Sequence, residues 1–166
     1  GTPNNGGVGL SLANCTFENP CGPTDFSQTG VNTLNSLLPN TLMFFNGGTY
    51  NALDATGSNP ITLNSGQGVN ARTADYSQAA TGSGRSVFNG AFILNTNNTL
   101  ANIILLPTAA TASGTGVTDN NGTNDFIRGS QIGNINNLYN VGVVISTNQL
   151  TITNSVIFGN NRGIRA

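Results

Sequence analysis

A glycine followed by a small aliphatic residue recurs along the chain at intervals of 21 to 26 residues. The five pairs are Gly68-Val69, Gly90-Ala91, Gly116-Val117, Gly142-Val143 and Gly163-Ile164. A structural unit that repeats every 20 to 30 residues or so is typical of a solenoid, in which each unit buries its apolar side against its neighbours. The period therefore restricts the fold to a stack of similar coils, and it restricts the function much less.

Segments with a strand-like pattern are short and are separated by turn-forming pairs such as Asn-Gly and Gly-Ser. They cover residues 42–45, 61–63, 86–88, 92–94, 103–105, 141–145 and 150–153. About three such strands fit in one repeat, which predicts an all-β fold, a right-handed parallel β-helix in which each strand pairs with the strand one coil later. We expect residues 41–166 to form the coils, with the C-terminus truncated because a new unit opens at Gly163-Ile164.

Alternating side chains support coils with one face in the core and one face in water. In residues 141–145 the odd positions can point inward, and in residues 150–153 the two threonines can face solvent. Asn102 and Asn154, two periods apart, are expected in equivalent turns. Arg128 is expected at the intermediate position, so the sequence does not predict a continuous asparagine ladder.

Residues 1–40 are expected to form a disulfide loop and a capping helix. Cys15 and Cys21 are too few ligands for a typical metal site and too far apart for a redox pair, so a disulfide is favoured over two buried thiols. Such a bond indicates an oxidising compartment. Residues 24–38 combine N-cap residues with one apolar side, which predicts a short helix that covers the first coil; an ordinary connecting helix is the alternative.

Composition removes several classes of function. Only 7% of the 166 residues are charged, the net charge is −1, and the chain contains no lysine, histidine or tryptophan. A protein without a basic patch lacks the main source of affinity for nucleic acid. Nucleophilic catalysis that depends on histidine or lysine is excluded, no cofactor is expected, and no apolar run is long enough to span a bilayer.

Six acidic residues are the candidates for chemistry: Glu18, Asp25, Asp54, Asp75, Asp119 and Asp125. Asp119 and Asp125 share a turn-rich loop and could act as a glycosidase pair, or with Arg128 as a polysaccharide lyase. Asp119, Asn121 and Asp125 could also offer oxygen ligands to Ca²⁺. Aspartate is common in turns for backbone reasons alone, so a solvated loop without catalytic or metal-binding residues is the favoured interpretation.

Three motifs resemble a known group of surface proteins: residues 15–21, residues 44–50 (FFNGGTY) and residues 154–164. The sequence resembles the pectate-lyase-like right-handed parallel β-helix of bacterial autotransporter and inverse autotransporter passengers, and more distantly the chlamydial polymorphic outer-membrane proteins. The resemblance implies an exported, extracellular or cell-surface domain used in adhesion or self-association. It also implies a separate outer-membrane β-barrel as anchor, which this sequence does not include.

Outward Asn, Thr, Ser and Gln side chains on a rigid column would present rows of hydrogen-bonding groups. We therefore expect the partners to be other copies of the chain, or a glycan or protein of a host or cell surface. Two alternatives stay open, a carbohydrate-active β-helix enzyme and a purely structural stalk or filament subunit. Tyr50, Tyr76 and Tyr139 could stack on sugars, although packed tyrosines are the commoner case.

Overall fold

The computed structural model describes residues 15–17, 20–23, 40–53, 57–71, 85–120, 122–146 and 149–166. Within these ranges the chain forms fifteen strands in three five-stranded sheets, and each pairing between these strands is parallel. The all-β prediction is confirmed for this part of the chain. The helix predicted over residues 24–38 lies outside the described residues.

Every third strand belongs to the same sheet. The first sheet contains β1 (Leu42–Phe45), β4 (Gly68–Ala71), β7 (Thr99–Ala101), β10 (Asp125–Arg128) and β13 (Leu150–Thr153). The second contains β2 (Gly48–Ala52), β5 (Ser86–Gly90), β8 (Ile104–Leu106), β11 (Gln131–Ile132) and β14 (Val156–Ile157). The third contains β3 (Ile61–Thr62), β6 (Phe92–Leu94), β9 (Thr115–Asp119), β12 (Tyr139–Ile145) and β15 (Gly159–Arg165).

The chain therefore passes through the three sheets in the same order five times, an arrangement consistent with a parallel β-helix. We call these passes coils one to five; coil one holds β1 to β3 and coil five holds β13 to β15. All seven strand-like segments predicted from the sequence overlap a strand. Prediction missed β2, β4, β7, β9, β10, β11, β14 and β15. β11 and β14 are only two residues long, and in the others glycine, asparagine, threonine or aspartate dilutes the apolar pattern.

Each sheet contributes one column of inward side chains to the core, aligned by the parallel register. The columns are Met43, Val69, Leu100, Ile127 and Ile152; Tyr50, Phe88, Leu105, Ile132 and Ile157; and Ile61, Phe92, Val117, Val143 and Ile164. The first four members of each column are buried, whereas the member from coil five is half-buried or exposed. Burial of one such side chain stabilises a fold by about 1.5–3 kcal/mol, so coils one to four hold most of the core energy.

The predicted alternation is confirmed in both segments that suggested it. Val141 and Val143 are buried and Ile145 packs against the core. Thr151 and Thr153 are exposed. Because successive side chains of a strand point to opposite faces, two residues per strand are enough to establish which face is inside.

The glycine repeat marks the coils only in part. Gly116, Gly142 and Gly163 precede paired residues and lie at the same position of the third sheet in successive coils. Gly90 is the last residue of β5 in the second sheet, and the residue level with Gly116 is Ala91. Gly68 belongs to the first sheet. The regular interval thus draws on all three sheets, and the stretches between strands differ in length from coil to coil.

Left-handed residues are stacked at two corners of the coils. Asn40, Gly66, Asn97 and Asn124 precede the first sheet with φ of 62°, 74°, 55° and 58°. Asn102, Gly129 and Asn154 follow the first sheet with φ of 60°, 58° and 49°. In the stack of coils, the residue between Asn102 and Asn154 is therefore Gly129. The expectation of Arg128 at this place is wrong by one position, because Arg128 pairs with Ala101 and Thr153. Asparagine and glycine are the residues that adopt this conformation most readily.

The disulfide between Cys15 and Cys21 is confirmed, and its loop lies over coil one. Cys21 bridges to Phe45 in parallel, and the Phe44 amide donates to the Cys15 carbonyl at 2.8 Å. Tyr50 donates its hydroxyl to the carbonyls of Cys21 and Asn46, at 3.1 and 2.6 Å. Both cysteines are buried in the core cluster, so this loop covers the apolar side chains at the start of the column.

Candidate functional site: outer faces, open edge and acidic corner

The outer faces of the sheets are mixed in character, not uniformly polar as the expected rows of Asn, Thr, Ser and Gln would require. In the second sheet the outward column consists of Thr49, Val87, Ile104, Gln131 and Val156. In the third sheet it consists of Thr62, Ile93, Thr118, Val144 and Arg165. Five of these ten side chains are aliphatic and five are polar, so neither face presents a continuous row of hydrogen-bonding groups.

The strands of coil five form an open edge. Within the described residues, β13, β14 and β15 each have a neighbour on one side only. Val156 and Ile164 are 55% and 47% exposed there, and Ile152 and Ile157 are only partly buried. An edge of this kind combines unpaired backbone groups with exposed apolar side chains, which makes it a template for further strand pairing.

Two of the three tyrosines are core residues, so they cannot serve as sugar platforms. Tyr50 stacks on Phe88 with 4.8 Å between ring centroids. The Tyr139 hydroxyl donates to the Gly90 carbonyl at 2.6 Å, and burial raises the pKa of this phenol. Tyr76 lies outside the described residues.

A column of inward polar side chains follows the corner between the third and first sheets. Thr41, Gln67, Asn98 and Asp125 occupy equivalent positions in coils one to four and are buried. Gln67 Oε1 accepts from the Asn64 amide at 2.9 Å, and Asn98 Oδ1 accepts from the Asn95 amide at 2.7 Å. In coils two and three, a side-chain amide therefore satisfies the backbone of its own corner, as a buried polar group requires.

Coil four departs from this pattern because its corner is longer. Asp119 pairs with Leu94 and Ile145, so its carboxyl group takes an inward position that leucine and isoleucine occupy in adjacent coils. Six positions separate Asp119 from Asp125, whereas four separate Leu94 from Asn98. Asp119 Oδ1 accepts from the Gly122 amide at 3.0 Å, which closes the longer corner. We call Asp119, Gly122 and Asp125, with the Asn95 carbonyl, the acidic corner.

The Asp125 carboxyl group is only half satisfied. Its Oδ1 accepts from the Asn98 amide at 2.7 Å, while Oδ2 is buried without a hydrogen-bond partner among the described residues. Burial raises the pKa of Asp125, the hydrogen bond from Asn98 lowers it, and the nearby Asp119 carboxylate raises it further. The net direction is upward, because desolvation disfavours the charged carboxylate most.

In the loop at residues 118–125, Asn120, Thr123 and Asn124 are exposed, but the Asp119 and Asp125 side chains turn inward with 0% exposure. Arg128 is exposed on the outer face of β10, so it does not join the two inward aspartates as a lyase site would require. Asn121, Glu18, Asp25, Asp54 and Asp75 lie outside the described residues. The described part of the chain contains no group of three or more His, Cys, Asp or Glu that could hold a metal.

Arg85 is a partly buried residue that the sequence did not single out. Its Nη2 donates to the carbonyls of Gly129 and Ile103, at 2.8 and 3.2 Å. The guanidinium of coil two thus spans the corners of coils three and four, and burial lowers its pKa. The signal was that Arg85 directly precedes a strand, but only the stacking of coils shows what it reaches.

Comparison with protein-family models, with curated proteins and with solved structures found no match to this chain. None of the described residues belongs to a helix long and apolar enough to cross a membrane.

Proposed function

We propose that the chain is a right-handed parallel β-helix with an N-terminal capping helix, and that it acts as an exported bacterial surface passenger in self-association or adhesion. The observation that carries this proposal is the edge of coil five, whose strands have a neighbour on one side only among the described residues. Exposed strand edges recruit further strands through main-chain hydrogen bonds, and neighbouring apolar side chains add affinity. A second copy of the chain is the partner that would fit this edge.

Two further features support an exported location and a binding role. The Cys15–Cys21 disulfide is of a kind that persists in oxidising compartments such as the periplasm, the cell surface or the medium. The described acidic residues, Asp119 and Asp125, face inward, so they do not supply the accessible carboxyl pair of a glycoside hydrolase. Right-handed winding is proposed because parallel crossover connections have that hand in nearly every known case.

Substitution of one edge residue tests the proposal against a matched control. Ile164→Lys places a charge at the open edge, whereas Ile135→Lys makes the same change in the turn before β12, where Ile135 is 79% exposed. Sedimentation velocity at protein concentrations up to about 0.1 mM should show self-association of the wild type and of I135K. I164K should remain monomeric, because a buried lysine at the interface would lose its hydration.

A monomeric wild type over this concentration range would contradict self-association through the edge. Equal loss of association in I164K and I135K would show that general surface hydrophobicity, not the edge, holds the copies together. Far-UV circular dichroism of each variant separates loss of association from loss of fold.

A further inference from the structure

We propose that the acidic corner binds a hard divalent cation, and that Ca²⁺ is the ion its donors suit best. The starting point is the buried Oδ2 of Asp125, which has no hydrogen-bond partner among the described residues. Buried carboxyl oxygens in folded proteins are normally paired with a donor or bound to a metal. The proposal is independent of the self-association suggested above.

The orphaned oxygen lies close to a second acceptor beside Gly122. A Cβ atom built on Gly122 would lie 2.1 Å from Asp125 Oδ2 and 1.7 Å from the Asn95 carbonyl oxygen. The two oxygens are therefore separated by less than about 4 Å, a spacing that suits two ligands of one Ca²⁺ at its usual 2.3–2.6 Å bond lengths. Two acceptors in this arrangement repel each other unless a positive species lies between them.

Coil four is built differently from its neighbours at this place. In coils two and three the equivalent side chains are the neutral amides of Gln67 and Asn98, each of which accepts from its own corner. Coil four has a carboxylate instead, and a longer corner that adds the Asp119 carboxylate and leaves glycine at position 122. The change from amide to acid thus coincides with the two extra residues of the longer corner.

The nature of the donors selects the ion. Two carboxyl groups and one backbone carbonyl supply oxygen only, and the chain has no histidine and no free cysteine among the described residues. Oxygen-only donors of this type favour Ca²⁺ over transition metals. A divalent charge can balance both buried aspartates at once, which a single proton cannot.

Calcium titration of the full chain after chelator treatment tests this site. We expect isothermal titration calorimetry with CaCl₂ to give one bound ion per chain, and the thermal midpoint to rise by about 3 °C or more at saturation. Asp125→Asn should weaken binding at least tenfold while keeping the fold, because its amide can donate to the Asn95 carbonyl. Asp75→Asn removes the same charge elsewhere in the sequence and should bind Ca²⁺ as the wild type does.

Three results would overturn the proposal. The first is a folded wild type that shows neither saturable heat nor a midpoint shift with Ca²⁺ up to about 10 mM, the weak limit for protein calcium sites. The second is unchanged Ca²⁺ binding in D125N. The third is a D125N variant more stable than a calcium-insensitive wild type, which would show that a proton on Asp125 bridges the two oxygens. If D125N does not fold, Asp119→Asn provides the same comparison.

Discussion

Alanine at Gly142 is the sharpest test of how coils four and five are stacked. A Cβ at this position would lie 2.6 Å from the Gly163 carbonyl oxygen, 2.7 Å from the Phe158 carbonyl oxygen and 2.5 Å from Ile157 Cγ2. The first two atoms belong to the backbone of coil five and cannot rotate away. The strands of the third sheet would therefore have to separate locally.

The expected cost follows from these overlaps. Overpacking of a tight site destabilises a protein by about 1–3 kcal/mol, and rigid backbone neighbours favour the upper part of that range. Loss of chain freedom in the unfolded state returns about 0.4–1 kcal/mol for a glycine-to-alanine change. We expect Gly142→Ala to lower the free energy of unfolding by about 2 kcal/mol, which shifts the urea midpoint by roughly 1 M for a typical slope.

Gly163 provides the matched control one coil later in the same column. Its Cβ would meet only the Ile157 carbonyl oxygen, at 3.2 Å, so Gly163→Ala should change stability by less than about 0.5 kcal/mol. Urea unfolding followed by circular dichroism measures both variants. A G142A protein as stable as G163A would refute the close parallel approach of β12 and β15, and with it the alignment of the glycine column.

Three further predictions concern the ends and the interior of the column. Replacing Cys15 and Cys21 by alanine should lower the free energy of unfolding by about 2 kcal/mol, because the closed loop no longer restricts the unfolded chain. A thermal melt measures this change, and an unchanged midpoint would contradict the role of this loop as a cover. Tyr139→Phe should cost about 1 kcal/mol in urea unfolding, since the Gly90 carbonyl loses a buried donor, and a neutral result would argue against that hydrogen bond. Because the folded-state pKa of Asp125 is raised, the folded state holds this proton more tightly than the unfolded chain does. With chelator present, the contribution of protonated Asp125 to stability should therefore be complete below the ordinary pKa of 3.8 and be lost as pH rises through the raised pKa. Urea midpoints plotted against pH should show this decrease in the wild type and not in D125N.

The core of the fold was predictable because its strands can be recognised from the pattern of neighbouring residues in the sequence. Val141 and Val143 alternate with outward neighbours, and the apolar residues of Leu42–Phe45 stand between turn formers, so strand and inner face follow from short-range pattern alone. The disulfide was predictable because the sequence has two cysteines and no histidine or further cysteine that could complete a metal site. These features depend on neighbours in sequence.

The acidic corner could not be predicted in the same way. Aspartate is frequent in turns, so Asp119 and Asp125 favoured a solvated loop. Their burial follows from register, because Asp119 lies beside Leu94 and Ile145 while Asp125 continues the column of Gln67 and Asn98. Aligning the repeats on buried aliphatic residues instead of on glycines would have placed Gln67, Asn98 and Asp125 together.

The hydrogen bonds between coils, which run along the column, give its two described ends different mechanical behaviour. At the start, the disulfide loop is joined to coil one by backbone bonds on Phe44 and Asn46 and by the Tyr50 hydroxyl. At the other end, coil five is held by coil four alone among the described residues. Under tension between the ends, we expect the coils to unfold one after another, starting with coil five. The hydrogen bonds of Arg85, which link coils two to four, should delay the unfolding of coils four and three.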